Sequence, residues 1–128
     1  MPLDGFETLE GYAVFRPTGR LRLQQIVDLI TEAFVTARER RIPRLLIVTT
    51  GTDPIAPPTV AERYLIIEEW ARAAQGVVRT AFVLRPEIID PQRFGLTVAA
   101  NRGLVGNVFT TEEDARVWLL SDDVADAL

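Results

Sequence analysis

Leu45-Leu46-Ile47-Val48, followed directly by Thr49-Thr50-Gly51, is the stretch that decides the fold. Four consecutive apolar residues between Arg44 and a Thr-Gly cluster are typical of a central strand that is buried on both faces. The loop over residues 49–58 contains one glycine and three prolines, so it is predicted to be neither helix nor strand. A strand buried on both faces must be covered by other elements, which the sequence before and after it should form.

Before this strand, the sequence shows first strand and then helix periodicity. Two short apolar runs, residues 6–9 and 12–15, flank Glu10-Gly11, which predicts two antiparallel strands joined by a tight turn. Apolar residues then recur at steps of three and four from Leu23 to Ala37. This spacing predicts an amphipathic helix that ends before Pro43.

The alternation continues after the strand. Thr59 and Glu62 match a capping box, which predicts a helix from Thr59 to about Gln75 with Gly76 as its left-handed stop. The remaining predicted elements are a strand over 81–84, a helix from Asp90-Pro91 to about Gly103, a strand over 107–109 and a final helix that carries Ala115, Trp118 and Leu119 on one face.

Length and composition favour one domain. The chain has 128 residues, of which 48% are hydrophobic, and this is the size of a typical single core. We therefore predict one α/β domain over residues 1–128, with a single-layer mixed β-sheet of about five strands and about four helices in the order ββαβαβαβα. The acidic tail, residues 121–128, is expected to be frayed.

This order resembles the STAS domain, the fold of sulfate-transporter cytoplasmic domains and anti-sigma factor antagonists. It is most similar to the small bacterial proteins described as stage II sporulation protein AA-like. The resemblance covers nearly the whole chain. It rests on the opening hairpin with Gly19, the strand 45–48 with its glycine loop, and the closing stretch Asn101-Arg102-Gly103, Asn107-Val108-Phe109 and Ala115-Arg116-Val117-Trp118-Leu119. It implies a bacterial, cytoplasmic interaction domain with a STAS-like fold.

The chain departs from STAS antagonists that act as phosphorylation switches. In those proteins the corresponding strand ends in an Asp-Ser pair, followed by a small residue and Gly, and the serine accepts the phosphate. Here Val48 is followed by Thr49-Thr50-Gly51-Thr52-Asp53, without that serine. A threonine could accept a phosphate, but the prolines place the next predicted helix start well beyond it. A phosphorylation switch is therefore disfavoured.

The charged residues disfavour several classes of function. All 14 basic side chains are arginine, and the sequence contains no Lys, His or Cys. Imidazole bases, thiolates and amine nucleophiles are thus missing, and we predict no enzyme activity, no catalytic residue, no cofactor and no metal site. The formal net charge of −4 argues against a nucleic-acid partner, which would require a basic surface.

The apolar segments predict neither export nor a membrane span. Residues 1–4 do not begin a signal peptide, and no apolar stretch approaches the roughly 18 residues of a transmembrane helix. Together with the missing cysteines, this pattern leads us to expect a cytoplasmic protein.

Polar side chains gather at the predicted carboxyl ends of two strands, where open α/β sheets usually bind ligands. The candidate binding residues are Thr50, Thr52, Asp53, Arg85 and Glu87. The planar guanidinium of Arg85 suits a carboxylate or phosphate. The alternative is ordinary loop chemistry, in which Asp53 caps its own turn, Arg85 pairs with a carboxylate and the threonines bond to loop backbone.

The predicted helix over residues 60–75 is apolar on more than one side. Tyr64 lies on one side, and Ile66 and Trp70 are rotated from it. Because a surface helix needs one apolar face, we predict an interface through these residues with a protein partner or a second copy in a homodimer. The alternative is that the loop or the tail of the same chain covers them.

Two functions follow from these patterns. The first is a non-enzymatic regulatory or protein–protein interaction domain of STAS-like type. The second is the binding or sensing of a small amphipathic or anionic ligand, lipid-like in character, which is suggested by the similarity of this fold to CRAL-TRIO-type lipid-binding domains. An enzyme that uses carboxylates and arginine ranks last.

Overall fold

The sheet of this protein follows the order of the chain. The computed structural model describes residues 3–89 and 99–121, and its five strands lie side by side in the order β1-β2-β3-β4-β5. Their bounds are β1 Phe6–Leu9, β2 Tyr12–Phe15, β3 Arg44–Val48, β4 Arg79–Val83 and β5 Gly106–Phe109. The first pair is antiparallel and the other three are parallel, which confirms the predicted mixed sheet.

The helices alternate with the strands. Their bounds are α1 Leu23–Glu39, α2 Val60–Ala74 and α3 Glu112–Leu120, and residues 99–101 belong to a further helix between β4 and β5. The predicted order is confirmed with one difference, a short 3₁₀ helix over Pro86–Ile88 after β4. The predicted helix start at Asp90-Pro91 and the acidic tail beyond Ser121 lie outside the described residues.

The core has two layers because successive side chains of a strand point to opposite faces. Leu45 and Ile47 of β3 pack with α1 and α2 on one face of the sheet. Leu46 and Val48 pack on the other face with Ala115 and Leu119 of α3. These four side chains are at most 4% exposed, so the stretch Leu45–Val48 is buried on both faces as predicted.

The capping box predicted for α2 is present. The Thr59 hydroxyl accepts a hydrogen bond from the Glu62 amide at 3.1 Å, and the Glu62 carboxylate accepts one from the Thr59 amide at 2.8 Å. The helix ends at Gln75 and Gly76, whose φ angles are +52° and +73°. The local signals around residues 59–76 therefore specify both ends of α2.

The last turn of α3 is held by two arginines of the sheet. Arg44 and Arg79 are register partners at the starts of β3 and β4. Arg44 donates to the Leu120 carbonyl at 3.1 Å, and Arg79 donates to the Trp118 and Ser121 carbonyls at 2.7 and 2.8 Å. These bonds satisfy carbonyls that a helix end leaves without intrahelical partners.

In residues 3–89 and 99–121, no helix combines the length and the apolar character that a membrane span needs.

Candidate functional site

A cavity of about 150 Å³ lies at the carboxyl ends of the parallel strands, between the sheet and helices α1 and α2. Its wall is mostly apolar. Contributing side chains include Val27, Ile30, Ile67, Trp70, Phe82 and Leu84. This is the edge of an α/β sheet where ligands usually bind.

Trp70 forms an aromatic part of this wall. Its ring stacks on Phe82 with the ring centroids 5.1 Å apart, and it meets Phe34 at a tilt with a centroid distance of 6.2 Å. The indole Nε1 donates a hydrogen bond to the Val27 carbonyl at 3.3 Å. Both the apolar ring and its polar group are therefore engaged within the chain.

These contacts bear on the predicted interface of α2. Trp70 and Ile66 line the cavity, whereas the ring of Tyr64 lies on the outer surface against the guanidinium of Arg102. The second apolar side of α2 thus serves the interior of this domain. The docking role assigned to Tyr64, Ile66 and Trp70 stays a prediction.

The two predicted loops meet because β3 and β4 are parallel neighbours, with Val48 beside Val83. Arg85 follows β4, and its Nη2 donates to the backbone carbonyls of Thr50 and Thr52 in the loop after β3. The structure therefore brings Thr50, Thr52 and Arg85 together, as the sequence suggested.

The threonines of this loop bond to backbone. The Thr52 hydroxyl donates to the Thr49 carbonyl at 2.8 Å, and the Thr49 hydroxyl donates to the Val83 carbonyl at 3.2 Å. This is the ordinary loop chemistry that was the alternative to a binding role. Thr52 is nonetheless 3% exposed and forms part of the cavity wall.

The candidate carboxylates lie away from the cavity wall. Asp53 is exposed and forms an ion pair with Arg20, with 3.6 Å between the Arg20 Nε and a carboxylate oxygen. Glu87 is exposed on the 3₁₀ helix. The side chain of Thr50 is exposed too, and Thr50 contacts Arg85 through its backbone carbonyl.

Arg63 is a cavity residue that the sequence reasoning missed. It lies in the first turns of α2, is half-buried, and its Nη2 donates to the Ile88 carbonyl at 2.8 Å. A signal was present, because Arg63 stands four residues before Ile67 and seven before Trp70, in line with an apolar stripe. A charged residue within such a stripe points toward the interior.

Two arginine side chains give the cavity positive charge. Arg63 and Arg85 both line it, and neither has a carboxylate within ion-pair distance in residues 3–89 and 99–121. In the same parts of the chain, no three acidic side chains gather in a way that could hold a metal ion. The arrangement favours an anion at the polar part of an apolar cavity.

No model of a known protein family matches the chain, and no curated protein matches it.

Proposed function

We propose that this protein is a non-enzymatic binding domain that holds a small amphipathic ligand in the cavity at the carboxyl ends of its strands. The observation that carries this proposal is an apolar cavity of about 150 Å³ with two guanidinium groups in its wall. Apolar cavities of this size bind molecules such as benzene. Burial of the apolar part of a ligand stabilises the complex by about 25 cal/mol per Å².

The volume of the cavity favours a smaller ligand than the lipid-like molecule that the sequence predicts. Pockets for drug-sized ligands measure about 300–1,000 Å³. The cavity of this protein is near 150 Å³ and suits a compact apolar group rather than a long acyl chain. We therefore propose a small ligand with a ring or a short branched chain.

A second candidate function is contact with a protein partner, as in the STAS-type regulatory domains that we propose as the relatives of this chain. The hairpin followed by parallel strands supports that relationship. Val60 and Leu65 of α2 favour the contact, because both are apolar and are 62% and 66% exposed. Large exposed apolar side chains on one helix favour an interaction surface.

Titration of the labelled protein with toluene and with phenylacetate tests the ligand-binding proposal. We expect saturable NMR shifts of the Ile30, Ile67 and Leu84 methyl groups with at least one of the two compounds. Val108→Phe should abolish these shifts, because Val108 lines the cavity and a larger side chain fills it. Val117→Phe is the matched control, since Val117 is 67% exposed on α3.

Two results would contradict the proposal. One is the absence of saturable shifts with both compounds. The other is equal binding by the wild-type protein and a folded Val108→Phe variant, which would place the compounds outside the cavity. Circular dichroism spectra of both variants establish that they are folded.

A further inference from the structure

We infer that the ligand is an oxyanion whose apolar part has about the size of a phenyl ring, and that Arg63 and Arg85 bind its charged group. This inference rests on the proposed binding function and specifies its ligand. It follows from the charge, the free donors and the shape of the cavity.

The charge of the cavity is positive, and no carboxylate of residues 3–89 and 99–121 pairs with it. Arg63 and Arg85 are half-buried beside apolar side chains, and the carboxylates nearest in sequence are engaged or exposed. Asp53 pairs with Arg20, and Glu62 is held in the capping box of α2. A cation that is partly removed from water gains most from an opposite charge in the same cavity. An anionic ligand supplies that charge.

Both guanidinium groups keep donors for such an anion. A guanidinium has five N–H donors. Among the described residues, Arg63 uses its Nη2 for the Ile88 carbonyl, and Arg85 uses its Nη2 for the Thr50 and Thr52 carbonyls. The Nε and Nη1 groups of each arginine are left, and each can donate a separate charge-assisted hydrogen bond to an oxygen of a carboxylate or phosphonate.

The backbone bonds also hold the two guanidinium groups in place. Arg63 is fixed through its Nη2 to a carbonyl of the 3₁₀ helix, and Arg85 is fixed through its Nη2 to two carbonyls of the loop after β3. Less side-chain freedom is therefore lost when an anion binds. The hydrogen bonds of Arg63 and Arg85 therefore favour a preorganised anion site.

The shape of the cavity defines the apolar part of the ligand. Trp70 and Phe82, whose stacked rings are inclined by 21°, both belong to the cavity wall. A phenyl ring fits a volume of about 150 Å³ and packs well against aromatic side chains. Aromatic or short branched carboxylates and phosphonates combine this size with the required charge.

Isothermal titration calorimetry with four related compounds tests the inference. Phenylacetate and phenylphosphonate carry the oxyanion, phenylacetamide is the neutral counterpart, and phenethylamine carries a positive charge. We expect the tighter oxyanion to bind at least about tenfold more strongly than the amide, because a charged hydrogen bond contributes about 1.5–3 kcal/mol. Phenethylamine should bind most weakly. The ratio of the two oxyanion affinities identifies the preferred head group.

Substitution of the arginines assigns the preference to particular side chains. We expect Arg63→Gln and Arg85→Gln each to reduce the preference for the oxyanion over the amide to less than about threefold, with amide affinity unchanged. Arg72→Gln is the matched control on α2, because the Arg72 side chain is 74% exposed and pairs with Glu68. It should keep the wild-type preference.

The outcomes separate this inference from the proposed function. If the oxyanions and the amide bind with equal affinity and Val108→Phe abolishes their binding, the inference is overturned and the proposed function stays intact. Failure of all four compounds to bind contradicts both. Where a glutamine variant does not fold, the ionic-strength dependence of the wild-type protein decides: oxyanion affinity must fall as salt is added while amide affinity stays constant.

Discussion

Arg79 stabilises the end of a helix that is distant from it in sequence. Its two hydrogen bonds reach carbonyls of the last turn of α3, and its guanidinium lies 4.3 Å above the Trp118 ring. A positive charge at the carbonyl end of a helix is also favoured by the helix dipole. One side chain thus combines hydrogen bonding, a cation–π contact and favourable electrostatics.

We expect Arg79→Gln to lower the free energy of unfolding by about 2 kcal/mol, since hydrogen bonds from charged groups contribute about 1.5–3 kcal/mol. Arg44→Gln is the matched comparison, because Arg44 is the register partner of Arg79 and its bond to the Leu120 carbonyl is exposed. That variant should lose less than about 1 kcal/mol. Urea denaturation measures both, and equal losses would contradict this account.

Two cavity residues show what the sequence could predict at this scale. Arg85 was selected because it follows a predicted strand, and the structure places it in the wall of the cavity. Arg63 was missed because an arginine on a helix is usually a surface residue. The spacing from Arg63 to Ile67 and Trp70 does indicate its direction, because it places Arg63 in line with the apolar stripe of α2. The preferences of single residues do not contain that information.

At the scale of elements, patterns with a local physical cause were predicted well. The capping box of α2 and the turn at Gly11, whose φ is +86°, both depend on a few neighbouring residues. The start of β4 was placed too late, at Ala81 rather than at Arg79. Arg79 and Thr80 are polar and belong to the strand only because they pair with Arg44 and Leu45. Such pairing depends on the neighbouring strand.

Helix α2 presents apolar side chains in two directions. Ile66 and Trp70 line the cavity, whereas Val60 and Leu65 face outward and are mostly exposed. The inner side is thus accounted for by the fold, and the outer side is the part of α2 that suits a second copy. The sequence pattern predicted that α2 is apolar on more than one side, but it did not single out Leu65 and could not say which side chains would be covered.

We expect the wild-type protein to sediment as a dimer at micromolar concentration and Leu65→Glu to sediment as a monomer, because a charge at the centre of an apolar contact disfavours association. Val117→Glu is the control, since Val117 on α3 is equally exposed. It should leave the sedimentation coefficient unchanged. If the wild-type protein sediments as a monomer, the expected self-contact through α2 is contradicted.

At the scale of the whole molecule, one ion pair connects the amino-terminal hairpin with the carboxyl-terminal helix. Arg16 follows β2, Glu112 begins α3, and their side chains form a hydrogen-bonded pair. The hydrogen bond from Arg16 lowers the pKa of Glu112 below its ordinary value and raises that of Arg16. This contact joins the end of β2 to the start of α3.

A carboxylate whose pKa is lowered by folding contributes stability above its unfolded-state pKa, about 4.3, and loses it as the pH falls through the folded-state value. We expect Glu112→Gln to cost about 0.5 kcal/mol at pH 7, a small effect because both side chains are more than a third exposed. The difference from the wild-type protein should be smaller at pH 3 than at pH 7 in urea titrations. An undiminished difference at that pH would contradict the assignment.

The order of the sheet has a consequence for synthesis. Because each strand pairs with the strand before it, a nascent chain adds strands to one growing edge as it leaves the ribosome. Helix α3 follows all five strands and packs back across β3, β4 and β5. The apolar side chains Leu46 and Val83 therefore lose their water last, and until α3 docks they form the surface that a chaperone would recognise.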